Sequence, residues 1–172
     1  TQRPDIVFLD LGLPDLDGVE IIKRIRSWSQ MPIIVISARS EDGDKVGALD
    51  AGADDYLTKP FSVTELLSRV RVAYRRIPTV EGKPGDSVFH NGELTVDYAA
   101  GCASLNGEEL KLTPTEYKLL CLLAKDAGKV LTHTYLTDKI WGSSWDSDMA
   151  SLRVHMATLR KKREKDSQTQ YI

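Results

Sequence analysis

The chain has 172 residues, of which 41% are apolar and 28% charged, and its formal net charge is −2 at pH 7. This composition is typical of a soluble globular protein with one large or two small domains. No apolar run approaches the length of about 20 residues that a membrane span needs, and no basic-then-apolar leader opens the chain, so we expect a cytoplasmic protein with no membrane partner. The two cysteines, Cys102 and Cys121, lack the spacing of a metal site, and we expect buried free thiols.

Residues 1–76 alternate strand and helix patterns in the order βαβαβα. Residues 5–10, 32–38 and 54–59 are apolar runs of the kind found in strands that are buried on both faces of a parallel sheet. The helices between them are indicated by caps and apolar stripes: Asp17 with Glu20 before the stripe Ile21, Ile22, Ile25 and Trp28, Gly52 after residues 43–51, and Ser62 with Glu65 at the third helix.

The pattern changes after residues 77–87, which contain two prolines and two glycines and are predicted to be a linker. Short alternating stretches over 88–113 are broken by turn pairs that favour antiparallel hairpins. Three helices are predicted next, over about 113–128, 132–142 and 148–165. The signals are Asn91-Gly92 and Asn106-Gly107 for the turns, and Thr113, Pro114, Glu116 and Gly128 for the first of these helices.

Three polar residues of the first half follow or end predicted strands: Asp10, Ser37 and Lys59. The carboxyl ends of parallel strands meet at one edge of a sheet, where ligands and reactive groups gather. A carboxylate, a hydroxyl and an ammonium group at that edge suit phosphoryl transfer to the carboxylate. Each residue alone has a simpler explanation as the end of a strand, since Asp is a frequent turn residue.

The stretches "FLDLGLPDLDG", "PIIVISAR", "GADDYLTKPF" and "ELLSRVRVAYRR" resemble the receiver domain of two-component response regulators. The resemblance spans residues 1–76 and implies a flavodoxin-like α/β fold with a parallel sheet. It also implies the roles of single residues: Asp10 is the phospho-acceptor, Ser37 the switch hydroxyl, Tyr56 an aromatic that changes rotamer, Lys59 the phosphate-sensing cation and Pro60 its cis-proline neighbour.

The same resemblance implies a Mg²⁺ ion held by Asp10 and by the loop that contains Gly12. Receivers carry a further acidic pair in a preceding strand–helix–strand–helix stretch, whereas this sequence starts at Thr1, close to the Asp10 strand. We therefore expect a partial receiver that by itself binds Mg²⁺ poorly and is phosphorylated slowly or not at all.

Receivers of this kind form homodimers when phosphorylated, through a helix–strand–helix face. Here that face corresponds to about 43–52, 55–58 and 62–75. Opposite charges on it suit an interface in which two copies contribute the same surface. The predicted interface residues are Lys45, Asp54, Asp55, Glu65, Arg69 and Arg76.

Residues 149–165 carry six basic groups against one acid, which is typical of a phosphate-binding surface or, equally, of a solvated helix face. On a helical wheel Leu152, Met156 and Leu159 face inward, and a small mixed face with a basic rim lies opposite. That face suits the major groove of DNA. The predicted DNA contacts are Ser151, Arg153, Val154, His155, Thr158, Arg160 and Lys161.

Residues 88–172 resemble the winged-helix domain of the OmpR/PhoB subfamily through "LTPTEYKLLCLLAKDAGKVLTHTYLTDKIWG" and "LRVHMATLRKK". The sequence stops at "TQYI", so we expect no C-terminal wing hairpin. Within the subfamily, "IRSWSQMPIIVISARSEDGDKVGALDAGADDYLTKPF" is most similar to regulators of potassium-transport genes.

The function implied is a transcriptional response regulator that is phosphorylated by a sensor histidine kinase and is not an enzyme. Two alternatives stay open at this point. One is a truncated regulator that binds DNA without phosphorylation, and the other is a small phosphohydrolase that uses Asp10. The second is the weaker alternative, because residues 1–76 contain no histidine to serve as acid or base.

Overall fold

A computed structural model describes residues 4–75, 87–142 and 146–164. The first described range contains a three-stranded sheet and three helices in strict alternation, as predicted. Its sheet has the order β1–β2–β3 and all of its strands are parallel, with Val7 opposite Ile33 and Val35 opposite Tyr56. The elements are β1 (Val7–Leu9), α1 (Gly18–Arg26), β2 (Ile33–Ser37), α2 (Asp42–Asp50), β3 (Asp55–Thr58) and α3 (Val63–Tyr74).

The caps of α1 and α3 form as their sequences predict. Asp17 accepts a hydrogen bond from the Val19 amide at 3.0 Å, and Ser62 accepts one from the Glu65 amide at 3.1 Å. Two details of α1 were predicted wrongly. Glu20 accepts a hydrogen bond from Lys23 instead of completing a capping box, and Trp28 lies beyond the helix end with 69% of its surface exposed.

The second half begins with an antiparallel sheet in the order β4–β5–β6–β7. The first hairpin turns at Gly92 and Glu93, one residue later than predicted, because Asn91 is the last residue of β4 and pairs with Leu94. The second hairpin turns at the predicted pair. Asn106 and Gly107 have φ angles of 54° and 82°, the left-handed conformations that a tight two-residue hairpin turn requires. The strands are β4 (Val88–Asn91), β5 (Leu94–Asp97), β6 (Cys102–Leu105) and β7 (Glu108–Glu109).

Three helices, α4 (Pro114–Lys125), α5 (His133–Trp141) and α6 (Asp146–Glu164), follow this sheet. Thr113 and Glu116 form the predicted capping box at the start of α4. Leu152 and Leu159 of α6 are buried in the core of this half, as the wheel predicts, because they lie on the helix face that packs against α4 and α5. Both cysteines are free; Cys121 is buried, whereas Cys102 is only half-buried.

Several predictions fall on residues outside the described ranges. These are Arg76, nearly all of the linker 77–87, and the end of the chain after Glu164, where the wing was expected to be missing. The domain boundaries therefore stay predictions. Among the helices of the described ranges, none combines the length and apolar character needed to cross a membrane.

Candidate functional site

Asp10 and Lys59 meet at the carboxyl edge of the parallel sheet. Asp10 follows β1 and Lys59 follows β3, and the Lys59 Nζ atom lies 2.6 Å from Asp10 Oδ2. The other carboxylate oxygen, Oδ1, accepts a hydrogen bond from the Gly12 amide at 2.8 Å. Both charged side chains are about two-fifths exposed, at 38% for Asp10 and 44% for Lys59, so a phosphoryl donor can reach them from solvent.

The surroundings of Asp10 keep its carboxylate ionised. The hydrogen bond from Lys59 is the main cause that lowers the pKa of Asp10, and the Gly12 amide and the charge of Arg39 act in the same direction. An ionised carboxylate is the nucleophilic form of the residue. The site therefore presents a nucleophile with a cation beside it to hold developing negative charge.

Gly12 lies close enough to Asp10 that a larger residue is disfavoured. A Cβ atom added at Gly12 would lie 3.2 Å from Asp10 Oδ1, which is tighter than an ordinary van der Waals contact. Asp10 supplies carboxylate oxygens, and the loop backbone at Gly12 lies directly beside them through its amide bond to Oδ1. Oxygen donors of this kind are the ligands that Mg²⁺ prefers.

Ser37 lies on β2 and Tyr56 lies on the neighbouring strand β3. Ser37 is buried at the end of β2, and its carbonyl oxygen accepts a hydrogen bond from the Lys59 amide at 2.8 Å. Tyr56 is buried within β3, and its hydroxyl donates to the Arg39 carbonyl at 2.7 Å. The peptide bond from Lys59 to Pro60 is cis. The structure thus brings Asp10, Gly12 and Lys59 into direct contact and joins Ser37 to Lys59 through the backbone.

The predicted DNA contacts of α6 divide into an exposed set and a covered set. Arg153, Arg160 and Lys161 are exposed. The other four, Ser151, Val154, His155 and Thr158, are covered in whole or in part, and their prediction as surface residues is wrong for this arrangement of the chain.

The cause is that α6 packs against α2 of the first half. Val154 packs against the buried cluster of the parallel sheet, and His155 Nε2 lies 3.1 Å from the Asp54 carbonyl oxygen. The fully buried His155 loses solvation of its charged form, which lowers its pKa to about 4. His155 is therefore neutral at pH 7, and its ring nitrogen donates to the carbonyl.

The predicted dimer residues Asp55 and Arg69 are buried within the chain instead of facing solvent. The guanidinium Nη1 of Arg69 lies 3.1 Å from Asp55 Oδ2 and 2.6 Å from Asp148 Oδ1 in the first turns of α6. The prediction that these charges lie free for a second copy is wrong for this arrangement, because the chain itself supplies the opposing acid. Lys45 and Glu65 are half-buried.

Asp54 is the third predicted dimer residue that is buried. Both of its carboxylate oxygens accept hydrogen bonds. Oδ2 accepts from Arg26 Nη2 at 2.8 Å and from the Ile33 amide at 2.9 Å. Oδ1 accepts from the amide and the hydroxyl of Thr115, at 3.1 and 3.0 Å, and Thr115 belongs to α4 of the second half. Burial raises the pKa of Asp54, and the charge of Arg26 opposes that rise.

Sequence reasoning missed Thr115, Asp148 and Arg26 as partners in these contacts. The adjacent acids Asp54 and Asp55 at the start of an apolar strand were the available signal, since buried carboxylates need partners. The partner Thr115 is 61 residues away along the chain. No local pattern identifies such a distant partner.

Comparison with known proteins assigns both halves of the chain. Residues 1–71 match the profile of the response regulator receiver domain, and residues 107–172 match that of the transcriptional regulatory protein, C terminal. The KDP operon transcriptional regulatory protein KdpE of Escherichia coli (strain K12) is 48% identical over 166 residues, which cover 96% of this chain and 73% of that protein. The chain belongs to the response-regulator family.

Other members of the family agree with this assignment. The transcriptional regulatory protein KdpE of Staphylococcus aureus (strain NCTC 8325 / PS 47) is 46% identical over 161 residues, 94% of this chain and 69% of that protein. A solved structure of a RitR mutant, 19% identical, covers 99% of this chain and 75% of its own with a TM-score of 0.74, so it shares the fold. The interpretation as a KdpE-like response regulator of OmpR/PhoB type, with a receiver and a DNA-binding domain, is confirmed.

Proposed function

We propose that this response regulator controls the transcription of potassium-transport genes of the Kdp type and that phosphorylation of Asp10 switches it. The observation that carries the proposal is the 2.6 Å contact between Lys59 and the ionised Asp10 at the open edge of the parallel sheet. The two KdpE relatives named above support the choice of target genes. A cognate sensor histidine kinase in the cytoplasm is the expected phosphoryl donor.

The proposed reaction uses residues already in contact. An Asp10 carboxylate oxygen attacks the phosphorus of a phosphohistidine, so that a P–O bond forms while the P–N bond breaks and the imidazole leaves with the bonding electrons. Lys59 then contacts the phosphoryl oxygens, and the Ser37 hydroxyl donates a hydrogen bond to one of them. The phosphoryl group is kept as a signal, so we propose no enzymatic turnover of a separate substrate.

The oxygen donors at this edge are of the chemical type that Mg²⁺ prefers. Asp10 and the Gly12 carbonyl would hold the ion, with water and phosphoryl oxygens as the remaining ligands. Such an ion, when held there, would supply positive charge to shield the incoming phosphoryl group. Within the described ranges there is no group of three or more His, Cys, Asp or Glu side chains that could hold a metal.

The exposed basic residues of α6 support a DNA-binding surface. Arg153, Arg160 and Lys161 are placed to contact backbone phosphates, which supply most of the affinity of such complexes. We propose that the covered residues of α6 read bases once they are free. We also propose that the phosphorylated protein forms a homodimer in which the charged α2–β3–α3 face of each copy is shared.

The phospho-acceptor is tested by chemical trapping. The chain is incubated with acetyl phosphate and Mg²⁺, the acyl phosphate is reduced with borohydride, and the modified residue is located by mass spectrometry. We expect slow labelling that is confined to position 10. Asp15→Asn, a change of the same type in the adjoining loop, keeps the label and Asp10→Asn loses it. Labelling at another carboxylate, or a label that persists in Asp10→Asn, contradicts the assignment.

A further inference from the structure

Arg39 follows β2 on the loop beside the phosphorylation site, and its backbone is held at two points. Its amide donates a hydrogen bond to Ser37 Oγ at 3.1 Å, and its carbonyl accepts one from the Tyr56 hydroxyl at 2.7 Å. Both partners belong to strands of the parallel sheet. The backbone of Arg39 is therefore fixed relative to the sheet edge at which Asp10 and Lys59 meet.

The side chain of Arg39 is held much less firmly than its backbone. Its guanidinium pairs with Asp44 in the first turn of α2, with 3.6 Å between Nη1 and Oδ1. This separation is longer than a hydrogen bond. The two side chains are 58% and 31% exposed, and ion pairs between exposed groups contribute little stability. A stronger anion within reach of Arg39 can therefore replace Asp44 at small cost.

Arg39 faces the loop that follows Asp10 across an open cavity of about 360 Å³. The other residues that line this cavity lie at positions 11 and 13–17 of that loop. The guanidinium is within electrostatic reach of Asp10, since its positive charge, like that of Lys59, favours the ionised carboxylate. Lys59 already contacts Oδ2 of Asp10. Arg39 is thus a second cation beside the carboxylate, on the side of the cavity.

A phosphoryl group at Asp10 changes the competition for Arg39. It brings roughly two negative charges and three strong acceptor oxygens. A guanidinium matches such oxygens with parallel N–H donors, and these charge-assisted bonds are among the strong ones. The carboxylate of Asp44 offers less charge and lies beyond hydrogen-bond distance. Arg39 therefore prefers the phosphoryl group to Asp44 in both charge and bonding.

We propose that Arg39 binds the phosphoryl group that is transferred to Asp10 and that Asp44 holds Arg39 away from the site until this group arrives. The inference rests on the proposed function and adds two residues to it. In transfer from acetyl phosphate, an Asp10 oxygen forms a bond to phosphorus while the bond from phosphorus to the acetate oxygen breaks, and acetate leaves with the bonding electrons. Arg39 contacts the phosphoryl oxygens during this step. Asp44 acts only through Arg39 and is a positioning residue.

The test is a double-mutant cycle on the initial rate of labelling at Asp10 by acetyl phosphate and Mg²⁺. Arg39→Ala removes the guanidinium and keeps the two backbone bonds, and Arg24→Ala, at an exposed position on α1, is its control. Asp44→Asn removes the competing carboxylate. Asp42→Asn is the matched control, because it makes the same change of charge at an exposed position in the same helical turn.

We expect Arg39→Ala to label about fivefold more slowly than Arg24→Ala, which is the effect of one ion pair at a partly exposed site. Asp44→Asn should label about twofold faster than Asp42→Asn. The double variant should label as slowly as Arg39→Ala alone, because Asp44 acts through Arg39. Equal rates of either single variant and its control overturn the inference. An acceleration by Asp44→Asn that persists in the absence of Arg39 also overturns it.

A second measurement does not depend on phosphorylation. Inorganic phosphate is titrated into the Asp10→Asn chain, in which no carboxylate repels it, and the side-chain Nε–H signal of Arg39 is followed by NMR. We expect this signal to shift while that of Arg24 does not, and phosphate to bind more tightly when Asp44→Asn is added.

The two measurements separate the inference from the proposed function. If acetyl phosphate labels another carboxylate, the proposed function fails. In that case, or if no label forms, the phosphate titration decides the inference. A selective shift of the Arg39 signal that strengthens in Asp44→Asn supports it, and the lack of a selective shift overturns it.

Discussion

Asp54→Asn should loosen the contact between the two halves of the chain while leaving the parallel sheet intact. The two oxygens of Asp54 each accept two hydrogen bonds, one pair from Arg26 and Ile33 and the other pair from Thr115. An asparagine amide offers one acceptor oxygen and one donor nitrogen. Its oxygen will stay with the cation of Arg26, because that bond is charge-assisted. Its nitrogen will face Thr115, whose hydroxyl can turn to accept but whose amide loses its acceptor.

The size of the effect follows from the bonds that are lost. The buried Thr115 amide is left without an acceptor, which costs about 2 kcal/mol across the contact. Since each 1.4 kcal/mol corresponds to a factor of ten, the Thr115 amide should exchange about 30-fold faster than in the parent chain. The Ile33 amide keeps its acceptor and should change little.

The assay is amide hydrogen exchange resolved by residue, with both amides read in the same sample. Asp5→Asn, at an exposed position before β1, is the control for a change of one charge. Equal loss of protection at Ile33 and Thr115 would show that the substitution unfolds the sheet. Unchanged protection at Thr115 would refute the account of Asp54 as the bond between the halves.

Further predictions concern stability and DNA affinity. Because His155 is buried neutral with a pKa of about 4, against an ordinary 6.5, the unfolded chain binds more protons between these values. Urea denaturation should therefore show stability falling by up to about 3 kcal/mol from pH 6.5 to pH 4, and His155→Gln should remove that fall. Thr113→Ala should cost about 1 kcal/mol in the same assay through loss of the α4 cap, and Thr113→Ser should restore it. Arg160→Ala should weaken DNA binding and reduce the salt slope by about one, whereas Lys129→Ala should leave the slope unchanged.

Much of the fold could be predicted because its determinants are local. The continuous apolar runs identified buried parallel strands, and Asp17, Ser62 and Thr113 marked helix starts through bonds that span two or three residues. The Asn106-Gly107 turn needed only the intrinsic preference of these residues for positive φ. Trp28 was misassigned because the helical stripe continues in the sequence after the helix has ended.

The same distinction between local and distant determinants applies to the candidate site. Asp10 and Lys59 could be predicted to meet, because parallel topology places the ends of neighbouring strands together. The burial of Asp55 and Arg69 could not be predicted, since it depends on Asp148, which lies 79 residues after Arg69. A charged residue on a predicted surface face looks the same in sequence whether its partner is a second copy or a distant part of its own chain.

The central claim is that phosphorylation of Asp10 controls DNA binding, and one titration tests it most directly. DNA affinity is measured by anisotropy for the chain with and without acetyl phosphate and Mg²⁺, with the phosphorylated fraction determined in the same samples, and for Asp10→Asn under both conditions. The account predicts that the phosphorylated fraction binds the Kdp upstream duplex about tenfold more tightly and that Asp10→Asn does not respond. Equal affinity of phosphorylated and unphosphorylated chain, or an equal response of Asp10→Asn, would contradict it.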